Sequence, residues 1–524
     1  MLSPLRLAPS SSALTLRHTS LRKMSHSLPI PSMARNFPDS LAGPSSFFSF
    51  PGITPESTST TRRLLEENDR RNDIFGPSRI FHNHFSHGLL TRYALGAPSK
   101  MLQGSWEAEQ EDFFSLDPTA KGRRASVAKR LPEAISEASW DDPATLGVTD
   151  AYPIYLAYFH NEIEKMGSVE TFKKYIMTPE ANYKGRNGRA APQMIHRFMS
   201  GVLHPFIHAG FGIEFSDRLT LAEGIAQTAI NGTSYGELFD ADWLKTLETE
   251  HKPASSKSIL EIYSTFCSDE TFKPVPYDPD AMISTRIKRA LQHAEKLREL
   301  VGSWSLTDQE LEGWKGKIQE VDLLATLLAC ASTRRGYEKK VDFFLMHGLT
   351  SSVFVHAFMP VLDIPQRRAL LASYILTLLV VSMSRGRAHL DPSWLMEATA
   401  FPVGPGSTAK SSKNTIVDPT DNETRNPWTG IIESCLYDWD AHVPKAIRSL
   451  VHFANLYGSV PQGGFGMALP ADYSMLDGSV FVRAAGVIMD VMGWCREGEK
   501  SGGWDRSAMG YDEAWTGVPR RDHA

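Results

Sequence analysis

Histidine is the side chain in this sequence best suited to chemistry. Seventeen occur, and several fall in short apolar stretches. FHNHFSHGLL places His82, His84 and His87 within six residues, with His84 and His87 on one face if the segment is helical. LHPFIHAGFGIEF places His204 and His208 four apart, the spacing at which two imidazoles on one helix face can meet one metal ion. Pro205 suits the first helical position, and Glu214 and Glu223 are candidate orienting partners for these imidazoles. VDFFLMHGLTSSVFVHAF carries His347 among apolar residues. Its His356, nine positions on, belongs near the opposite helix face. DWDAHVPKAIRSLVHF carries His442 just before a helix start at Pro444, followed by Lys445, Ser449 and His452 at three-to-four spacing. Such histidines serve either as metal ligands or as general bases. Taken singly, each cluster fits a structural role equally well, and Lys445 fits an ordinary surface lysine.

Other cofactor chemistries leave no mark. No G-x-G-x-x-G follows a strand, so no Rossmann nicotinamide or flavin site is visible. VGPGSTAK (403–410) lacks Walker spacing and reads as loop. There is no G-x-S-x-G elbow, no H-E-x-x-H and no His-Asp dipeptide. The four cysteines are widely separated, which excludes a Cys-x-x-Cys zinc site and suits a reducing compartment. A net charge of -5 and a pI near 6.4 give no basic field for nucleic acid.

The elements that must position the histidines are helices. Apolar spacing predicts helices over 149–166, much of 193–230, 284–300, 307–332, 341–359, 366–385, 444–458 and 477–496, and strand alternation is nearly absent. The fold class expected is all-α: a single large multi-helix domain around a histidine-lined central cavity. The apolar run 369–383 is short for a membrane span and flanked by arginines, so a core helix is expected and no membrane span. Residues 1–60 are expected to be an N-terminal extension. Their first 38 residues hold arginines and serines but no acidic residue, which suits either a mitochondrial transit peptide or a disordered tail, with Met24 and Met33 as alternative starts. Residues 61–500 are expected to be the helical catalytic domain, 501–524 a C-terminal tail, and the Pro/Gly/Ser-rich stretch 400–428 a lid or insertion. The location expected is cytoplasmic, with mitochondrial targeting as the alternative.

Four segments in order, FHNHFSHGLLTRYALGA, HRFMSGVLHPFIHAGFGIEFSDRLTLAEGIAQTAIN, KKVDFFLMHGLTSSVFVHAFMP and DAHVPKAIRSL, resemble the questin oxidase-like family over roughly residues 80–495. The resemblance implies a fungal oxidoreductase of secondary metabolism that opens a ring of an anthraquinone-like aromatic polyketide by Baeyer–Villiger-type oxygen insertion or related cleavage, in pathways to mycotoxins and related products. It implies NADPH use, for which no motif is seen. The family's recurrent histidines fall on His84, His87, His204, His208, His347 and His442, with Lys445 following. Relatives tend to have paired histidines where this chain has His87 followed by Gly88.

Joining ground-state O2 to a closed-shell aromatic needs a one-electron partner. With no flavin motif, the leading expectation is Fe(II) held by His87, His208, His347 and His442, with Lys445 carbamylated as an anionic oxygen ligand and His84 and His204 as catalytic residues. The alternative is metal-free oxidation, with His208 or His347 as general base and NADPH reducing the quinone. A third class is a helical scaffold that binds a polyketide without turning it over.

Overall fold

In the computed structural model the described residues are 45–76, 82–110, 113–116, 131–186, 188–250, 252–253, 256–406, 409–521. The proposed targeting segment lies outside them. Among them the secondary structure is helical, with isolated β-bridges and no strand, and residues 39–524 cluster as one compact unit.

The centre of the site is an antiparallel helix pair, His204–Glu214 and Arg218–Ile230, the most extensively packed pair in the molecule. Glycine allows this approach. A β-carbon at Gly224 would lie 2.6 Å from Ala209 N, and one at Gly212 would lie 2.5 Å from Leu221 N. Asp217 caps the second helix by accepting from Thr220 N. The continuous expectation over 193–230 is thereby broken into Met194–Met199, His204–Glu214 and Arg218–Ile230.

Around this pair stand Pro55–Arg71, Phe85–Ala94, Tyr152–Met166, Phe343–Ser352 and His442–Tyr457. The helix Ile364–Ser384, capped by an Asp363–Gln366 box, forms a wall behind them. It and segment 343–361 are long and apolar enough to cross a membrane, yet 89% and 78% of their apolar windows lie inside the protein. Both serve as core.

Two boundaries differ from the composition-based expectation. The first helix starts at Pro55 because Thr54 and Ser57 form a capping box and proline suits the first turn. Such residues in a Ser/Thr-rich stretch read as linker from composition alone. Phe47 and Phe48, just before it, pack against the core. Residues 501–521 are also tied into the body: Asp505 N donates to Val341 O at 2.8 Å, and Phe343 N donates to Asp505 O at 2.8 Å.

Arg448 joins the last histidine helix to the central pair. Its guanidinium is paired with Glu214, both are buried, and it lies over the rings of Phe47, Phe211 and Phe215. Glu214 is thereby committed to Arg448 and to Ser45 rather than to an imidazole.

Gly224→Ala is expected to destabilise the fold by about 2 kcal/mol. The new methyl meets backbone that cannot yield, which outweighs alanine's helix preference of about 1 kcal/mol. Urea unfolding should show a lower midpoint at unchanged slope; a midpoint equal to or above wild type would contradict this account of the helix contact.

Candidate histidine centre

His204 opens its helix directly after three successive left-handed residues, Gly201 (φ 61°), Val202 (φ 55°) and Leu203 (φ 66°). Two of these carry side chains that avoid this region, Val202 most strongly. The strained turn brings Gly201 O to 2.6 Å from His204 Nδ1. A carbonyl only accepts, so Nδ1 carries the proton and Nε2 presents a lone pair.

The same arrangement recurs twice. His347 donates from Nδ1 to Phe343 O at 2.7 Å, leaving Nε2 buried without a partner. His442 donates from Nδ1 to Asp440 Oδ1 at 2.7 Å, and its Nε2 is likewise buried and unpartnered. Asp440 also accepts from His442 N at 2.9 Å and from Trp504 Nε1 at 2.8 Å. Burial alone would raise its pKa, but these hydrogen bonds hold the carboxylate well below its ordinary range. Tethering Nδ1 to an oxygen acceptor is how proteins aim imidazole Nε2 at a metal.

His84, at the N-cap of Phe85–Ala94, completes the group. Its Nε2 lies 2.9 Å from His204 Nε2. The candidate ligand nitrogens of His84, His204 and His442 all lie within 4.8 Å of one another. Two nitrogens bound at about 2.1 Å and roughly 90° to each other would sit about 3 Å apart, so the His84–His204 spacing fits adjacent ligands. The His347 ring is centred 5.0 Å from His204 and 5.1 Å from His442, and His82 stacks on His204 at 4.1 Å.

Lys445 is buried beside this group, and its Nζ has no hydrogen-bond partner. Burial lowers its pKa to about 7, against the smaller opposing influence of Asp440 and Glu109. Burial, with Lys445 and neighbouring imidazoles adding to it, holds His84, His204 and His347 well below the usual histidine range, and His442 at about 4. All four are neutral at physiological pH, the state a metal ligand or a base requires.

His87, its ring centred 5.8 Å from His84, and His208 are joined to each other instead. His87 Nε2 meets His208 Nδ1 at 3.0 Å, and His208 Nε2 meets Glu223 Oε2 at 2.7 Å. Both nitrogens of His208 are therefore occupied. Burial raises Glu223 and lowers His208, so the pair is a neutral hydrogen bond rather than an ion pair. Helix periodicity does put His204 and His208 on one face, but the neighbouring helix supplies a carboxylate to only one of them.

The sequence-selected residues thus divide. His84, His204 and His442 converge, His347 and Lys445 adjoin them, and His87 and His208 form a line to Glu223. His356 bonds Asp322 at 2.8 Å, and its ring is centred 4.6 Å from His452, away from His347 as its spacing implied. Asp440 and Trp504 were not singled out from sequence, and the Asp-x-His spacing of DAH is a signal for the first; His82 was noted in its cluster but given no role. Gly88 is explained by contact: a β-carbon there would lie 2.9 Å from Arg92 Nη1 and 3.1 Å from the Ala441 β-carbon. The described residues do not show a histidine-lined cavity. A pocket of 590 Å³ opens instead beside loop 402–430, lined by Pro402, Val403, Trp494 and Arg496 among others, and none of the histidines borders it.

The family model described as questin oxidase-like matches residues 81–450, a span containing every histidine of the centre and Lys445. A Baeyer–Villiger oxidase of Pestalotiopsis microspora is 26% identical over 437 residues, covering 80% of this chain and 86% of the relative. A Baeyer–Villiger monooxygenase of Cryptosporiopsis is 25% identical, covering 84% and 89%. The questin oxidase of Aspergillus fumigatus is 24% identical, covering 87% and 93%. The chain belongs to the questin oxidase-like family of oxidoreductases.

Proposed function

We propose that this protein is an oxygenase that opens a ring of an anthraquinone-like aromatic polyketide in fungal secondary metabolism, using divalent iron held by His84, His204, His442 and His347. The observation that carries this is the set of three imidazoles whose Nδ1 protons are tied to oxygen acceptors, leaving neutral Nε2 lone pairs beside a fourth histidine. The names of the relatives support the oxidative reaction class and a quinone substrate.

Iron, when bound, supplies the one-electron chemistry that ground-state O2 needs to react with a closed-shell aromatic. The protein's own groups do the rest. Asp440 and the Gly201 and Phe343 carbonyls hold the imidazoles in one tautomer and orientation. Lys445, neutral in part near pH 7, adds CO2 at Nζ and releases a proton, giving a carbamate that provides an anionic oxygen donor among neutral imidazoles. The buried aromatic surroundings, Phe343 against His347 and His442 among them, exclude water from the reacting ring.

The metal-free alternative has one observation in its favour: His347 Nε2 is a buried, unpartnered base. His208 does not serve it, because both of its nitrogens are engaged. In that reading NADPH reduces the quinone to the hydroquinone that the base deprotonates.

Purified protein is expected to carry about one iron per chain. His204→Ala and His442→Ala should lose nearly all of it by elemental analysis, while His208→Ala keeps it. Asp440→Asn should weaken iron binding about 10- to 100-fold by competition with a chelator. Full turnover by metal-free protein would overturn the iron assignment in favour of the base mechanism.

Lys445 gives a pH signature. Its amine is charged below about pH 7 and neutral above it, so carbamate formation and activity should rise as pH increases through that value. Isotope-labelled bicarbonate should give a carbamate carbon resonance in wild type that Lys445→Met lacks. Undiminished activity in Lys445→Met would exclude the modification from the reaction.

A further inference from the structure

Gln227 is 1% exposed, yet neither Nε2 nor Oε1 of its carboxamide has a hydrogen-bond partner. A buried carboxamide offers two donors and an acceptor, and leaving all of them unused is costly. Its place in the central helix pair follows from the contacts on either side of it. His208 Nε2 meets Glu223 at 2.7 Å across that pair. One turn back along the first helix is His204, and one turn on along the second is Gln227. A further turn on is Asn231, whose Nδ2 would lie 3.2 Å from a β-carbon at Gly201; His82 Cε1 would lie 3.5 Å from the same point. Asn231 Nδ2 is also buried and unpartnered. The contacts on either side thus put Gln227 level with His204, on which His82 stacks. Glu223, in the same row, is satisfied by His208, Asn68 and Ser86. The unused polar capacity begins where the row reaches the histidine centre.

We infer that Gln227, seconded by Asn231, is a substrate-positioning residue that grips a ring carbonyl and the phenolic hydroxyl next to it, Nε2–H donating to the carbonyl and Oε1 accepting from the hydroxyl. This rests on the aromatic polyketide reading above and specifies the edge of the ligand that faces His204. An unsubstituted quinone offers the acceptor alone and leaves Oε1 unsatisfied. Sites built around a ligand hydroxyl discriminate strongly against analogues that lack it.

The test is binding, with no turnover needed. Iron-loaded protein is titrated anaerobically with 1-hydroxyanthraquinone and with anthraquinone, following tryptophan fluorescence. Wild type is expected to bind the hydroxylated quinone about tenfold more tightly or better. Gln227→Leu should lose that preference, bind anthraquinone as wild type does, and keep its iron. A purely structural role for Gln227 would weaken both ligands alike. If wild type binds the two quinones equally, or Gln227→Leu keeps the preference, the assignment is overturned and an internal water satisfies the amide. If neither quinone binds wild type, the polyketide reading itself fails and takes this assignment with it. Should Gln227→Leu fold poorly, the wild-type preference, together with its loss in the smaller change Gln227→Asn, decides the question.

Discussion

The arrangement of this protein depends on one constraint: a neutral imidazole has a single proton, and an oxygen acceptor at Nδ1 decides where it sits. Three separate acceptors impose that choice here, Gly201 O, Phe343 O and the Asp440 carboxylate. Much of the surrounding structure exists to place them. The left-handed run at 201–203 brings the first carbonyl back over its ring. The C-terminal segment fixes the other two, with Asp505 bonded to the start of the His347 helix and Trp504 bonded to Asp440. A segment that composition marks as a tail is thus part of the support of the centre.

Burial supplies the second condition. Imidazoles this deep cannot hold a charge without a partner, so they remain neutral bases over the physiological range. The same desolvation acts on Lys445 in the same direction, so that near pH 7 part of a cation that would repel a metal becomes a nucleophilic amine. Glu223 and His208 show the third outcome: when a carboxyl group is buried beside an imidazole, the two settle as a neutral hydrogen-bonded pair and neither remains free for a ligand. Proximity in sequence did not decide which histidines would belong to the centre. The hydrogen-bond partners that packing gave each ring did.

Several features were legible residue by residue. The three-to-four apolar spacing marked most helices within a few positions, and the arginines around 369–383 marked a core helix that length alone would have left ambiguous. The placement of Pro205 and Pro444 marked helix starts, although the second helix begins two residues earlier, at His442, because Asp440 caps it from outside. The His-rich segments marked the right neighbourhoods. What did not follow was the partition among them. His204 and His208 share a helix face, yet one points to His84 and the other to Glu223, since the facing helix runs antiparallel and offers its carboxylate at only one level. Glu214 and Glu223 looked alike as orienting residues, and only the approach of Arg448 separates them.

The sequence by itself determined the helical class, because periodicity, caps and prolines are local. It also determined the family, because four ordered motifs are a linear record. The tertiary structure alone decided which nitrogens are free, which carboxylates are spent, and that the Gln227 carboxamide is buried without a partner. Those are properties of hydrogen bonds between residues up to hundreds of positions apart, and their physical cause is the exclusion of water, which makes every buried donor and acceptor depend on whichever neighbour the packing brings.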